Sequence, residues 1–143
     1  MYKGEYNHTI DEKGRIIVPA KLRDELGETF VITKGLDGCL WVFDNEEWEK
    51  VEEKINELPF NIKEARLLSR FMIAGAFDAE PDKQGRVMIP QSLREYADLK
   101  RDVVLAGVGR KLELWSKERY EQAGDFGDMD EIANKLMELG IRL

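Results

Sequence analysis

The chain repeats itself, and the repeat limits the fold more than any other feature of the sequence. Residues 10–24 align with residues 81–95 at an offset of 71, and six positions are identical: Asp11 and Asp82, Gly14 and Gly85, Arg15 and Arg86, Pro19 and Pro90, Leu22 and Leu93, Arg23 and Arg94. The likeness runs outward on both sides. Gly4 and Tyr6 correspond to Gly75 and Phe77, and after one inserted residue Val31, Gly35, Leu40 and Phe43 correspond to Val103, Gly107, Leu112 and Trp115. Two copies of one unit of about 45 residues therefore account for most of the 143 residues, and a fold for the chain has to accommodate the same supersecondary unit twice.

Each copy carries the same local signals. Asp11 and Gly14, like Asp82 and Gly85, occupy the first and fourth positions of a type I turn, where a short acceptor and a residue free of Cβ are favoured. This predicts a hairpin. Residues 15–18 and 86–89 are apolar runs of strand length, each ended by a proline. Proline cannot donate to a ladder but fits the first turn of a helix, so Pro19 and Pro90 mark strand-to-helix switches. Residues 20–26 make about two helical turns before Gly27 supplies a C-cap. Strands follow at 30–33 and 39–43, with the turn-forming residues 35–38 between them. Each unit reads strand, turn, strand, short helix, strand, turn, strand.

The segment between the copies, residues 44–72, reads as helical. Asp44 and Glu47 have capping-box spacing, and Trp48, Val51, Ile55 and Leu58 form a helical stripe. Pro59 interrupts it, and Asn61 is placed to cap a second helix bearing Ile62, Ala65, Leu68 and Phe71 or Met72. After the second copy, Ser116 and residues 118–122 repeat the helical exit. Beyond the turn-rich residues 124–127, Asp128 and Glu131 can cap a last helix with Ile132, Leu136 and Leu139 on one side, able to dock on this chain or on a neighbour.

Composition removes most enzyme classes. The single cysteine, Cys39, excludes an intrachain disulfide, and with the single histidine, His8, it leaves the usual zinc and iron-sulfur ligand sets unfilled. Cys39 between Gly38 and Leu40 reads as a small core residue; a Cys-His pair is available only from these two residues, and neither lies in a nucleophile motif. Phosphate-binding loops, dinucleotide fingerprints and nucleophile elbows are missing from the sequence. Asp125, Asp128, Asp130 and Glu131 form an acidic cluster, but their spacing is that of helix capping and not of a calcium loop. The sequence predicts a non-enzyme with no cofactor and no metal. No apolar run approaches the ~20 residues of a membrane span, and the opening residues lack the apolar core of a secretory signal, which predicts a cytoplasmic protein.

The net charge of −7 at pH 7 opposes nucleic acid as a partner, since phosphate neutralisation drives such binding. The charge is segregated, however. Residues 44–57 hold seven acids against Lys50 and Lys54, whereas residues 1–23 and 82–94 each carry a net excess of two positive charges. The basic excess thus falls on the repeat itself.

The paired Asp-x-x-x-Arg loops, each followed by an apolar strand, a proline and Leu-Arg, resemble the MraZ family of bacterial transcriptional regulators, and the likeness extends over nearly the whole chain. The resemblance implies an α+β protein of two tandem AbrB-like (SpoVT-AbrB) β-β-α-β-β units forming a double-split β-α-β barrel, with a helical connector and a C-terminal helix. The boundaries expected are residues 1–47 and 75–119 for the two DNA-binding units, 48–74 for the connector and 120–143 for the helical tail. It further implies a nucleoid-associated repressor of the division and cell-wall gene cluster that includes its own gene, binding short repeated promoter elements in double-stranded DNA as a ring-shaped homo-oligomer.

The residues supply a mechanism of their own. Arg15 and Arg86, projected from glycine-bearing hairpins, offer guanidinium forks suited to phosphate or to guanine O6 and N7 in the major groove. Lys13 and Lys83 would position the hairpins on phosphate, with Lys3, Lys21, Arg23 and Arg94 as more distant contacts. Asp11, Asp82, Gly14 and Gly85 would support the hairpins, Asp orienting Arg. A purely structural ion pair that holds the turn is the competing reading of both Asp-Arg pairs. Because Lys13 corresponds to Gln84 and Glu12 to Lys83, the two hairpins need not read DNA equally. His8 lies near the first hairpin and could reach phosphate, but Ala79 stands at its counterpart. Trp41, Trp48 and Trp115 lie in strand and helix patterns that favour core or subunit contacts over base stacking. An antitoxin-like DNA-binding protein and an assembly adaptor that binds no DNA are the alternative functions.

Overall fold

The computed structural model describes residues 1–124 and 126–142, and the order of its elements follows the repeat. In the first copy these are β1 (Tyr2–Thr9), β2 (Arg15–Ile17), α1 (Ala20–Leu26), β3 (Phe30–Lys34) and β4 (Leu40–Phe43). The connector contains α2 (Asn45–Asn56) and α3 (Lys63–Ser69), and α3 runs on into a π-helical turn, Arg70–Ala74. The second copy supplies β5 (Phe77–Ala79), β6 (Arg86–Met88), α4 (Gln91–Tyr96), β7 (Asp102–Gly109) and β8 (Leu112–Ser116), and α5 (Lys117–Ala123) and α6 (Met129–Glu138) complete the chain.

The copies are interleaved and do not stand side by side. One antiparallel sheet has the order β1-β7-β8-β4-β3-β5, so the first strand of each copy pairs with the third strand of the other. A separate two-stranded ribbon joins β2 to β6, with Arg15 opposite Met88, Ile16 opposite Val87 and Ile17 opposite Arg86. Among the described residues, the strand pairs β3–β4 and β7–β8 alone form within a copy. The sequence therefore anticipates the turn at residues 11–14 correctly but not its partners. Apart from an isolated bridge between Ile10 and Ile16, the segments flanking that turn are paired with the second copy.

The main apolar core explains the exchange. Equivalent residues of the two copies meet in it: Ile16 and Val87, Val18 and Ile89, Leu22 and Leu93, Leu40 and Leu112, all nearly inaccessible. A unit of about 45 residues buries too little apolar surface to hold alone, and interdigitating the copies gives each strand the other's apolar face. Cys39, Val104 and Trp115 form a smaller cluster, with Trp41 and Tyr120 against it.

The helices hang on this frame. Asp44 caps α2 by accepting from Glu47 N at 2.8 Å while its other carboxylate oxygen accepts from Tyr2 Oη at 2.7 Å, so one residue fixes both the helix start and its position on the sheet. Asn61 makes no cap: α3 begins after Ile62 without a side-chain hydrogen bond, and Thr33 Oγ1 anchors the connector by donating to Met72 O at 2.6 Å. Ser116 caps α5 and Asp128 caps α6. α6 buries no residue, and Ile132, Met137 and Leu139 are exposed. Among the described residues no helix is long and apolar enough to cross a membrane.

Candidate nucleic-acid interface

The two loops that precede the ribbon strands are built alike from their first residue. Asp11 O accepts from Gly14 N at 2.9 Å, and Asp11 Oδ1 accepts from the backbone N–H groups of Lys13 and Arg15, both at 2.9 Å. In the second loop Asp82 O accepts from Gly85 N at 2.9 Å, and Asp82 Oδ1 accepts from Gln84 N and Arg86 N, again at 2.9 Å. A short carboxylate that caps its own turn in this way fixes the loop without help from the core. The glycines complete the turn in the left-handed region, with φ of 82° at Gly14 and 78° at Gly85.

With one carboxylate oxygen committed to the backbone, the other holds the arginine. Arg15 Nε lies 2.7 Å from Asp11 Oδ2 and Arg86 Nε 2.8 Å from Asp82 Oδ2. The backbone hydrogen bond from the arginine N–H, followed by the bond from its side chain, holds each carboxyl below the usual carboxylate range. Asp therefore stays ionised and orients Arg at neutral pH. The pairing uses Nε alone, and the two Nη groups of each guanidinium have no protein partner among the described residues. One edge of each guanidinium holds its loop, and the side chains remain partly exposed, 26% at Arg15 and 32% at Arg86.

The ribbon brings the two loops together. Val18 N donates to Gly85 O at 3.0 Å and Ile89 N to Gly14 O at 2.8 Å, extending the β2–β6 pairing to the loop glycines. Arg15 and Arg86 stand on a diagonal of this ribbon, about 7–8 Å apart at the backbone, on the face opposite the buried Ile16 and Val87. Two guanidinium forks thus share one outward face related by an approximate two-fold axis.

Arg23 and Arg94 lie under the loops. A Cβ on Gly14 would fall 2.6 Å from the Arg94 guanidinium, and one on Gly85 would fall 2.8 Å from that of Arg23, so each copy's helix puts an arginine beneath the other copy's loop. Arg94 Nε also donates to Ile89 O at 2.8 Å, whereas Arg23 Nε is buried with no hydrogen-bond partner among the described residues. The two supports are unequal although the sequence motif is the same.

The remaining basic residues divide by position. Lys13 and Lys83 are exposed in the loops, and Lys21 is exposed in the first turn of α1. Lys3 is exposed near the start of β1 and lies about 23 Å along that strand from Ile10, at the end away from the first loop. The structure adds two residues that sequence reasoning missed. Lys100 and Arg101 line the cleft beside the first loop with Thr9, Ile10, Asp11 and Glu12, and Ile10 N donates to Arg101 O at 2.7 Å. A basic pair at the entry to a strand was the available signal, and it has no counterpart in the repeat.

Other candidates lie elsewhere. Cys39 is fully buried, and burial pushes its thiol up to about 12, which is the reverse of an activated nucleophile. His8 is half-buried in β1 opposite Val103. Trp115 is buried, and Trp41 and Trp48 pack on Phe43 at ring-centroid distances of 6.2 and 5.7 Å. Of the acidic cluster, Asp125 lies outside the described residues, and Asp128 accepts from Asp130 N and Glu131 N as the cap of α6.

Comparison with known proteins agrees with this picture of a repeated unit. The sequence matches the family described as "MraZ protein, putative antitoxin-like" twice, over residues 1–71 and 72–130. It is 57% identical over 141 residues to a protein of Lachnoclostridium phytofermentans named transcriptional regulator MraZ, with 99% of each chain covered. Proteins of the same name from Clostridium tetani and Thermoanaerobacter sp. are 49% and 51% identical, over 99% of this chain and 100% of theirs. With the paired Asp-Arg loops, the duplicated unit and identity of this extent over essentially full length, the chain belongs to the MraZ family.

Proposed function

We propose that this chain is a sequence-specific DNA-binding transcriptional regulator, and that it represses the division and cell-wall gene cluster containing its own gene. The observation that carries the reading is the ribbon: Arg15 and Arg86, one from each copy, share a single outward face with their Nη groups free of protein partners among the described residues. A two-stranded ribbon fits the major groove, where a guanidinium can bond guanine O6 and N7 together. Asp11 and Asp82 pre-orient the forks, so little side-chain freedom is lost on binding. Lys13 and Lys83 would fix the loops on phosphate, with Lys21, Lys100 and Arg101 as outlying contacts. Arg23 and Arg94 act beneath the loops as supports. Residues 1–47 and 75–119 together make one reading head.

The net charge of −7 does not oppose this assignment. The acids of α2 are confined to the connector, where they disfavour binding through the wrong face. Assembly into a ring-shaped homo-oligomer would repeat the basic head along short DNA repeats, and the exposed apolar side chains of α6 support such self-association. The protein would act in the cytoplasm, associated with the nucleoid.

Fluorescence anisotropy on the duplex upstream of its own gene, against a scrambled duplex and across a salt series, tests the reading. The expected result is tighter binding to the upstream duplex, with a log–log salt slope of about −0.9 per neutralised phosphate. Equal and negligible binding of both duplexes by a well-assembled protein would refute it in favour of the assembly adaptor.

A further inference from the structure

The outward face of the ribbon presents four side chains, and only two of them are arginines. Arg15 lies opposite Met88 and Ile17 opposite Arg86, and directly opposed residues of an antiparallel pair share a face. The face is therefore a two-by-two array with cations on one diagonal and apolar groups on the other. Between them Ile16 and Val87 turn inward and are each 2% exposed, whereas Ile17 is 51% and Met88 57% exposed.

Core packing does not account for this diagonal. Among the described residues the ribbon has two strands and, apart from the Ile10–Ile16 bridge, pairs with no further strand, and bare strands of this kind ordinarily carry lysine or another charge on their open face. Here the array sits at the centre of the proposed DNA contact. The one apolar feature on a major-groove base edge is the 5-methyl group of thymine. The strand rise of about 3.3 Å per residue is close to the spacing of about 3.4 Å between successive bases, so Arg15 and Ile17 span about two base steps, as do Arg86 and Met88.

We infer that Ile17 and Met88 are specificity-determining residues that read thymine through its 5-methyl group, while Arg15 and Arg86 on the other diagonal read guanine. The inference rests on the DNA-binding reading above. The two residues differ in kind: Ile17 is β-branched and stiff at χ1, whereas Met88 is unbranched and adapts its shape. The methyl facing Ile17 is therefore the more stringently placed of the two.

Replacing every thymine of the upstream duplex by deoxyuridine removes only the 5-methyl groups, and a scrambled duplex with the same replacement controls for altered DNA shape. Anisotropy is read for the wild type and for the double variant Ile17→Ala, Met88→Ala, after circular dichroism and light scattering have shown its fold and assembly unchanged. The wild type should lose about fourfold in affinity for each methyl it contacts, about fifteenfold for two. The double variant should bind both duplexes equally, near the level of the wild type on the uracil duplex, with the salt slope unaltered because no phosphate contact is lost. A wild type that prefers the upstream duplex but binds thymine and uracil forms alike overturns this inference and leaves the DNA-binding reading standing. A wild type that prefers neither duplex overturns both. Dissociation of an assembly by the double variant, with a thymine-to-uracil ratio of one in the wild type, identifies the face as a contact between copies and overturns the inference.

Discussion

At the scale of single residues, the loops depend on two short side chains and two missing ones. Asp11 and Asp82 each serve two backbone N–H groups and one guanidinium, and their carboxyl groups sit below the ordinary value of 3.8. A carboxylate whose folded value is lowered contributes stability that is fully present above the unfolded value and is lost as pH falls through the folded one. The loops should therefore hold from neutral pH down to about 4 and loosen only in stronger acid. Carboxyl carbon NMR should show both aspartates titrating below the ordinary aspartate value of 3.8, and ordinary titration would contradict the loop chemistry. Gly14 and Gly85 make a second residue-scale prediction. Alanine at Gly14 should cost about 1–2 kcal/mol for the left-handed backbone and should displace the Arg94 guanidinium, whereas asparagine, which tolerates that region, should cost less. Chemical denaturation of the two variants gives the ordering directly, and equal stability of Gly14→Ala and wild type would contradict it.

At the scale of elements, adjacent residues of one strand have opposite duties. Ile16 is in the main core and Ile17 is in solvent. Ile16→Ala should cost about 2–5 kcal/mol, and Ile17→Ala should stay within about 0.5 kcal/mol; comparable losses from both would mean that the ribbon's faces are misassigned. The elements themselves were largely legible in sequence. The Asp-x-x-Gly turns, the proline at each strand-to-helix switch, the Gly27 cap and the Asp44 and Asp128 caps all rest on interactions spanning a few residues, which a local pattern encodes. Asn61 failed as a cap because α3 starts one residue later, after Ile62. The π-helical turn at Arg70–Ala74 left no local signal, and the Thr33 bond to Met72 O that anchors it spans 39 residues.

At the scale of the whole molecule, the exchange between copies is what a repeat conceals. Two units with the same apolar pattern offer every strand two equivalent partners, so the sequence could not say that β2 pairs with β6 or that Arg94 supports Gly14. For the same reason the loop arginines of the proposed interface stood out in the sequence, but their common face did not. A fold whose sheet and ribbon both cross the repeat should unfold as one unit. Far-ultraviolet circular dichroism and tryptophan fluorescence should report coincident transitions, and two separated transitions would show that the copies hold independently. The central claim, that the shared face reads bases through two guanidinium forks, is tested most directly by the double variant Arg15→Lys, Arg86→Lys. Lysine keeps both charges but cannot form the bidentate contact. The measurement is the ratio of affinities for the upstream and scrambled duplexes as a function of salt. The account predicts that this ratio falls toward one while the salt slope and the affinity for scrambled DNA are retained, and an unchanged ratio would contradict it.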